Sequence, residues 1–151
     1  MIYDIKSLKP QKNSRYEQGY INPSSCKKLF ESQKGEPIIF RSSLEWKFAN
    51  WCEQNPKVKH WGSECIQVPY FDPRDQKQHM YNPDFFIETI DGCRTAIEIK
   101  PASQTQKPKY PYRDDYQWNM YIKNCLKWDA AVKFFREKGI KFRIIIEDFF
   151  K

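Results

Sequence analysis

Histidine is almost missing from this chain: His60 and His79 are the only two in 151 residues, too few and too far apart to build a zinc site. Cysteine offers no framework either. Cys26, Cys52, Cys65, Cys93 and Cys125 are odd in number, widely spaced and free of any Cys-x-x-Cys pair, which argues against a disulfide scaffold and leaves them as reduced packing residues. No apolar run suits a signal peptide, and none approaches the ~20 residues of a membrane span, so the expectation is a cytosolic chain with no membrane partner. Internal repeats and low-complexity tracts are absent as well. Acid is the scarcer charge, with 19 Asp and Glu against 26 Lys and Arg. The resulting net charge of +7 favours a polyanionic partner, nucleic acid first.

What is present is a core. Hydrophobic residues make up 40% and aromatics 17%, a folded rather than a disordered composition, and the length suits one domain burying roughly 70% of its unfolded surface. Strand chemistry and acidic chemistry coincide in one stretch, Tyr81 to Lys100. Phe85, Ile87, Ile97 and Ile99 alternate along two arms, and Ile90-Asp91-Gly92 supplies a turn between them. A three-residue loop with Gly92 left-handed sets Thr89 against Cys93 and Asp84 against Glu98. A two-residue turn would instead throw the two carboxylates onto opposite faces. In the first register Glu88 meets Arg94 as an ordinary cross-strand pair, while two like charges roughly 5 Å apart at Asp84 and Glu98 repel unless a cation lies between them. The bland alternative is a solvated sheet face with scattered charges.

Around this hairpin the elements read as follows. Residues 1–34, rich in lysine and polar residues, form a basic arm that either contacts phosphate or packs as a solvated tail; residues 35–151 form the domain. The spacing of Leu44, Phe48, Trp51 and Cys52 predicts a first helix ending by Asn55-Pro56. Its Glu45 either completes a capping box with Ser42 or points across the sheet toward Asp84 and Glu98. Val58 to Trp61 and Cys65 to Phe71 read as strands joined by a turn at Gly62-Ser63, with Glu64 on the surface and Asp72 to Gln78 a polar loop. Pro101 to Tyr112 reads as a long loop, either a DNA-facing flap or a plain connection. Asp114 or Asp115 starts a long helix closed by Lys138-Gly139. On it Lys123, Asn124 and Lys127 share a face, either a solvated stripe or a DNA contact. Lys141 to Glu147 should pair beside the hairpin as an inner strand.

Pro83-Asp84 followed by Glu98-Ile99-Lys100 resembles the PD-(D/E)xK nuclease signature, and the element order resembles the core of that superfamily. The fold expected is α/β, a central mixed sheet flanked by helices in αβββαβ order. Gly19-Tyr20-Ile21-Asn22-Pro23, Phe40-Arg41-Ser42-Ser43-Leu44-Glu45, Trp61-Gly62-Ser63-Glu64, Val68-Pro69-Tyr70 and Tyr81-Asn82-Pro83-Asp84-Phe85 add a similarity to the TnsA-like endonucleases found in tailed phages. That resemblance implies Glu45, Asp84 and Glu98 as metal ligands, joined by the backbone carbonyl of Ile99, with Lys100 assisting the attacking water. Mg²⁺ is the implied cofactor, Mn²⁺ substituting, as one or two ions. Arg41, Lys123, Asn124 and Lys127 are candidates for DNA contact. The implied substrate is double-stranded DNA packaged by a phage, cut endonucleolytically or also from ends. The implied partners are head and neck proteins of the portal region, met in the host cytoplasm during head completion and head-tail joining and then in the virion. Transposase relatives often carry Gln where this chain has Glu98, which retains a ligand. Two other readings stay open: a non-catalytic neck or DNA-binding protein on a nuclease fold, and a transposon-end-cleaving TnsA-type endonuclease.

Overall fold

The computed structural model describes residues 19–109 and 115–151. A four-stranded mixed sheet organises them. In it β3 (Val58–Ser63), β6 (Phe85–Thr89) and β7 (Arg94–Ile99) run antiparallel in the spatial order β3-β6-β7, and β8 (Lys141–Ile145) joins β7 in parallel. One face packs on helix α1 (Ser43–Gln54) and on a short ribbon of β1 (Gly19–Ile21) with β2 (Ile38–Phe40); the other is covered by helix α2 (Asp115–Glu137) and a separate hairpin of β4 (Val68–Asp72) with β5 (Lys77–Tyr81). This is the expected α/β nuclease core, a mixed sheet between helices.

The β6–β7 hairpin adopts the three-residue-loop register. Phe85 faces Ile97, Ile87 faces Thr95 and Glu88 faces Arg94, with the Arg94 Nε 3.2 Å from Glu88 Oε2. Thr89 N–H donates to the Cys93 carbonyl at 2.9 Å, and Gly92 sits at φ +86, a conformation that a side chain resists. Phe85, Ile87, Ile97 and Ile99 consequently all enter the core under α1, beside Phe48, Ala49 and Cys52.

Four local expectations give way. Gly62 lies inside β3 rather than in a turn, paired with Phe86 of β6, and a Cβ there would meet Phe30, Gln33 and Cys65 at 3.1–3.2 Å. The chain reverses after Ser63 instead, with Glu64 at φ +50. The polar stretch before Tyr81 is partly a strand, paired from Val68↔Tyr81 to Asp72↔Lys77, so β4 hairpins onto β5 and not onto β3. Strand β8 is an edge of the sheet among the described residues, which fits Lys141 and Arg143 standing exposed on it. Residues 19–34 are not an arm: Ile21 and Leu29 are buried in the core, and a parallel bridge from Leu29 to Trp61 attaches this segment to β3. The rest of that arm, residues 1–18, and the loop residues 110–114, Asp114 included, lie outside the described residues.

Candidate active site

Each acidic side chain is delivered by a different local device. Ser42 caps α1, accepting from the Glu45 N–H at 3.2 Å, and Glu45 returns the bond through Oε2, which accepts from the Ser42 hydroxyl at 3.0 Å and the Arg41 N–H at 3.1 Å. The capping reading and the inward reading are therefore both realised. One oxygen closes the cap while the side chain, 9% exposed, lines a cleft. Asp84 follows Pro83 at the mouth of β6. Its carbonyl accepts from Glu64 N–H at 3.1 Å, closing the end of the β3–β6 pair, and its Oδ2 accepts from Ile99 N–H at 2.8 Å, which ties it to the end of β7.

Glu45, Asp84, Ile99 and Lys100 line one cleft of about 330 Å³, with Arg41 and Ser42 on one rim and Pro101 and Gln104 of the following loop on the other. Glu98 stands behind it. Its Oε2 accepts from the Tyr81 hydroxyl, and its Oε1 lies 3.8 Å from the Lys100 Nζ. The three carboxylates thus converge on one end of the sheet without closing into a single tight set. Among the described residues only Asp72, Asp75 and His79, on the β4–β5 hairpin, have ligand atoms all within 4.8 Å of one another.

The electrostatics distinguish the cleft. Burial first, then the negative charges of Glu98 and Glu45, push the Asp84 carboxyl well above its ordinary value, against the Ile99 N–H and the Lys100 charge. Burial also raises Glu45 against its capping bonds, and raises Glu98 against the Tyr81 hydroxyl, Lys100 and Lys127. Carboxylates held together in a partly dry place, each resisting ionisation, form a donor set for a hard divalent cation, whose charge would reverse those shifts. The residues fit such an ion.

Residues expected to touch DNA are only partly gathered. Lys127 reaches the site: its Nζ lies 5.5 Å from the Tyr81 ring centroid, and burial, then the like charge of Lys123, depress its basicity, while Glu98 and Asp84 oppose that. Asn124 on the same helix face is 6% exposed, so this face is not a solvated stripe. Arg41 lines the cleft and pairs with Glu64, whose side chain is 34% exposed and does not line it, in keeping with the surface position expected. One participant escaped the sequence reading: Tyr81, whose hydroxyl meets Glu98 only once β5 has paired with β4 over the sheet.

Among the described residues no helix is long and apolar enough to cross a membrane. A family described as the TnsA-like endonuclease N terminal matches residues 55–147, which contain Asp84, Glu98 and Lys100 but not Glu45. The head completion nuclease of Enterobacteria phage T4 is 34% identical over 134 residues, 80% of this chain and 87% of the phage protein. With a family match over more than half its length, a relative at this identity and a mixed sheet between helices, the chain belongs to the TnsA-like endonuclease family.

Proposed function

We propose that this protein is a divalent-cation-dependent deoxyribonuclease that trims or cuts packaged double-stranded phage DNA during head completion and head-tail joining. The observation that carries the reading is the cleft in which Glu45, Asp84, Ile99 and Lys100 meet while Asp84 is pushed well above its ordinary value by burial and its acidic neighbours. Glu45, Asp84 and Glu98, with the Ile99 carbonyl, would hold Mg²⁺ or Mn²⁺, as one ion or two. When bound, the ion neutralises those carboxylates and supplies Lewis acidity at the scissile phosphate.

The chain's own groups do the rest. Lys100 follows Ile99 at the edge of the cleft with its side chain a quarter exposed, so its ammonium can donate to a non-bridging phosphate oxygen and orient the attacking water. The water oxygen, giving one proton to solvent, forms the new bond to phosphorus as the bond to the leaving deoxyribose oxygen breaks, and the leaving oxygen takes up a proton from solvent. Charge developing on the phosphate meets Lys100 directly, which favours the transition state over the ground state. Arg41, Lys123 and Lys127 would bear on the backbone, the buried Asn124 standing behind the two lysines, and the net charge of +7 would add a salt-dependent, sequence-independent affinity. Proteins of the head and neck would present the DNA end, first in the host cytoplasm and then in the virion.

Cleavage of supercoiled plasmid and of linear duplex by the purified protein in Mg²⁺, compared with EDTA, tests this. Cutting in Mg²⁺ alone is the expected result. Equal cutting in EDTA would remove the cation, and tight duplex binding with no cutting in either Mg²⁺ or Mn²⁺ would leave a DNA-binding neck protein on a nuclease fold.

A further inference from the structure

Behind the cleft Trp128 of α2, Tyr81 of β5 and Glu98 of β7 stand next to one another, and we propose that they form a positioning relay in which Tyr81, braced by Trp128, fixes the Glu98 carboxylate for cation binding. The inference rests on the reading of the cleft as a cation site and adds two residues to it.

The direction of the relay follows from donor and acceptor chemistry. An indole N–H can only donate and an ionised carboxylate can only accept. The Tyr81 hydroxyl gives its single proton to Glu98 Oε2. The Trp128 side chain stands beside that hydroxyl, where its indole N–H can donate to the Tyr81 oxygen. Tyr81 is 4% exposed and Glu98 5%, and both lie against the apolar side chains of Val68, Ala131 and Phe135 or on the strand beside them, so no water competes cheaply for either group. The ring itself is pinned. It belongs to β5, is paired with Val68 in β4, and carries the Lys127 ammonium, one residue before Trp128, over its face.

With Oε2 given to Tyr81 and Oε1 facing Lys100, the plane of the Glu98 carboxylate is set from both sides. Tyr81 does not line the cleft and so does not touch the reacting atoms; it acts through Glu98. Hydrogen bonds of this kind to a ligand carboxylate typically change metal affinity or activity by about 10- to 100-fold when removed. Tyr70 supplies the matching control. It lies in the neighbouring strand of the same hairpin, is equally buried in the same apolar cluster, and stacks on His79 instead of meeting Glu98.

Direct Mn²⁺ titration by calorimetry, on the full chain without DNA, separates the outcomes. Tyr81→Phe should weaken Mn²⁺ by about 10-fold or more and shift the Mn²⁺ midpoint of cleavage by the same factor. Trp128→Phe should weaken it by roughly threefold, the loss of one bracing hydrogen bond, while Tyr70→Phe leaves it in place. In a Glu98→Ala background, which removes both the ligand and the acceptor, Tyr81→Phe should add nothing further, because two residues acting through one group are not additive. If Glu98→Ala weakens Mn²⁺ but Tyr81→Phe does not, the relay is wrong and the cation site stands. If Glu98→Ala binds and cuts like the wild type, the site itself is misread. An equal loss from Tyr81→Phe with and without Glu98 would assign Tyr81 to the fold alone. Should Tyr81→Phe fail to fold, Trp128→Phe decides the same question, and a wild-type Mn²⁺ midpoint in that variant overturns the proposal.

Discussion

Two acidic groups in this molecule sit within reach of cations and behave oppositely. On the β4–β5 hairpin, Asp72 Oδ2 accepts from Arg74 Nη2 at 2.7 Å and its Oδ1 from Arg74 Nε at 3.0 Å, and Asp75 pairs with His79 at 2.7 Å. The Arg74 hydrogen bonds hold Asp72 down to about 2, and although burial pushes Asp75 up, its bonds from His79 and the Lys77 N–H outweigh it. In the cleft, Glu45, Asp84 and Glu98 are all raised, burial first in each case. The hairpin has the tighter cluster of ligand atoms, yet its two carboxylates are held down by hydrogen bonds from Arg74, His79 and the Lys77 N–H. Proximity of ligand atoms alone therefore does not mark a cation site. What marks one is negative charge that the protein's own cations leave uncompensated.

The comparison breaks most visibly at Asp84. Asp84→Asn keeps an oxygen for the Ile99 N–H and removes the negative charge, so the fold and duplex binding should survive. Mn²⁺ binding should collapse and single-turnover cleavage should fall by roughly a thousandfold, several kcal/mol of transition-state stabilisation. Asp72→Asn, the same change on the hairpin, should leave both at wild-type values. Equal losses in the two variants would erase the distinction between the clusters.

Lys100→Ala sharpens the same contrast from the cation side. Lys100 stands 3.8 Å from Glu98 with a quarter-exposed side chain, so removing it takes a positive charge from beside three carboxylates. Mn²⁺ should then bind as well or slightly better, while cleavage drops by about two to four powers of ten. The melting temperature should move little. A variant that cuts at the wild-type rate, or that loses its fold, would refute the role given to the ammonium.

A smaller effect concerns the metal-free protein. Asp84 in the folded state holds its proton above the ordinary 3.8, so the folded state binds more protons than the unfolded one over that interval. Its favourable contribution is complete below pH 3.8 and fades as pH rises through the raised value. Thermal melts in EDTA should show the protein losing stability upward from that pH, and Mg²⁺ should restore the loss; Asp84→Asn should flatten both responses. A melting curve that is flat in EDTA and indifferent to Mg²⁺ would mean that the cleft charges are already compensated, as they are on the hairpin.

How much of this was written in the sequence depends on the range of the forces involved. The Asp84 and Glu98 register was legible because it turns on one local fact, that Ile90-Asp91-Gly92 closes with Gly92 left-handed, and Gly92 at φ +86 realises it. Helix α1 was legible from its apolar spacing and its Ser42 cap, and the dual use of Glu45 was implicit in its position three residues after that cap. Strand β5 was hidden because Lys77 and Gln78 are exposed and polar; it is a strand because β4 pairs with it, not because of its own alternation. Residues 19–34 hid for a related reason: Ile21 and Leu29 are isolated apolar residues in a polar stretch, buried only because β3 and α1 offer a surface. The bond from Tyr81 to Glu98 could not be read at all. It exists only once the hairpin has folded over the sheet beside α2, a placement that no short-range pattern encodes.

The smallest expected effect lies on the hairpin and runs in the opposite direction with pH. Asp72 titrates near 2 when folded and near 3.8 when unfolded, so its pairing with Arg74 favours the folded state wherever the unfolded carboxyl has lost its proton. That contribution is complete above pH 3.8 and is lost as pH falls through 2. Arg74 is about a third exposed, and its Nη1 also reaches the Asn119 carbonyl on α2 at 3.3 Å, so solvent screens part of the pair while the guanidinium still ties the hairpin to the helix. Asp72→Asn should therefore melt modestly below the wild type at neutral pH, and the gap should close as the two proteins are taken from pH 4 toward pH 2. Added Mg²⁺ should move neither curve at Asp72, since the partner there is an arginine already in place. A gap that widens in acid, or one that Mg²⁺ closes at neutral pH, would turn the hairpin into a second cation site and undo the contrast with the cleft.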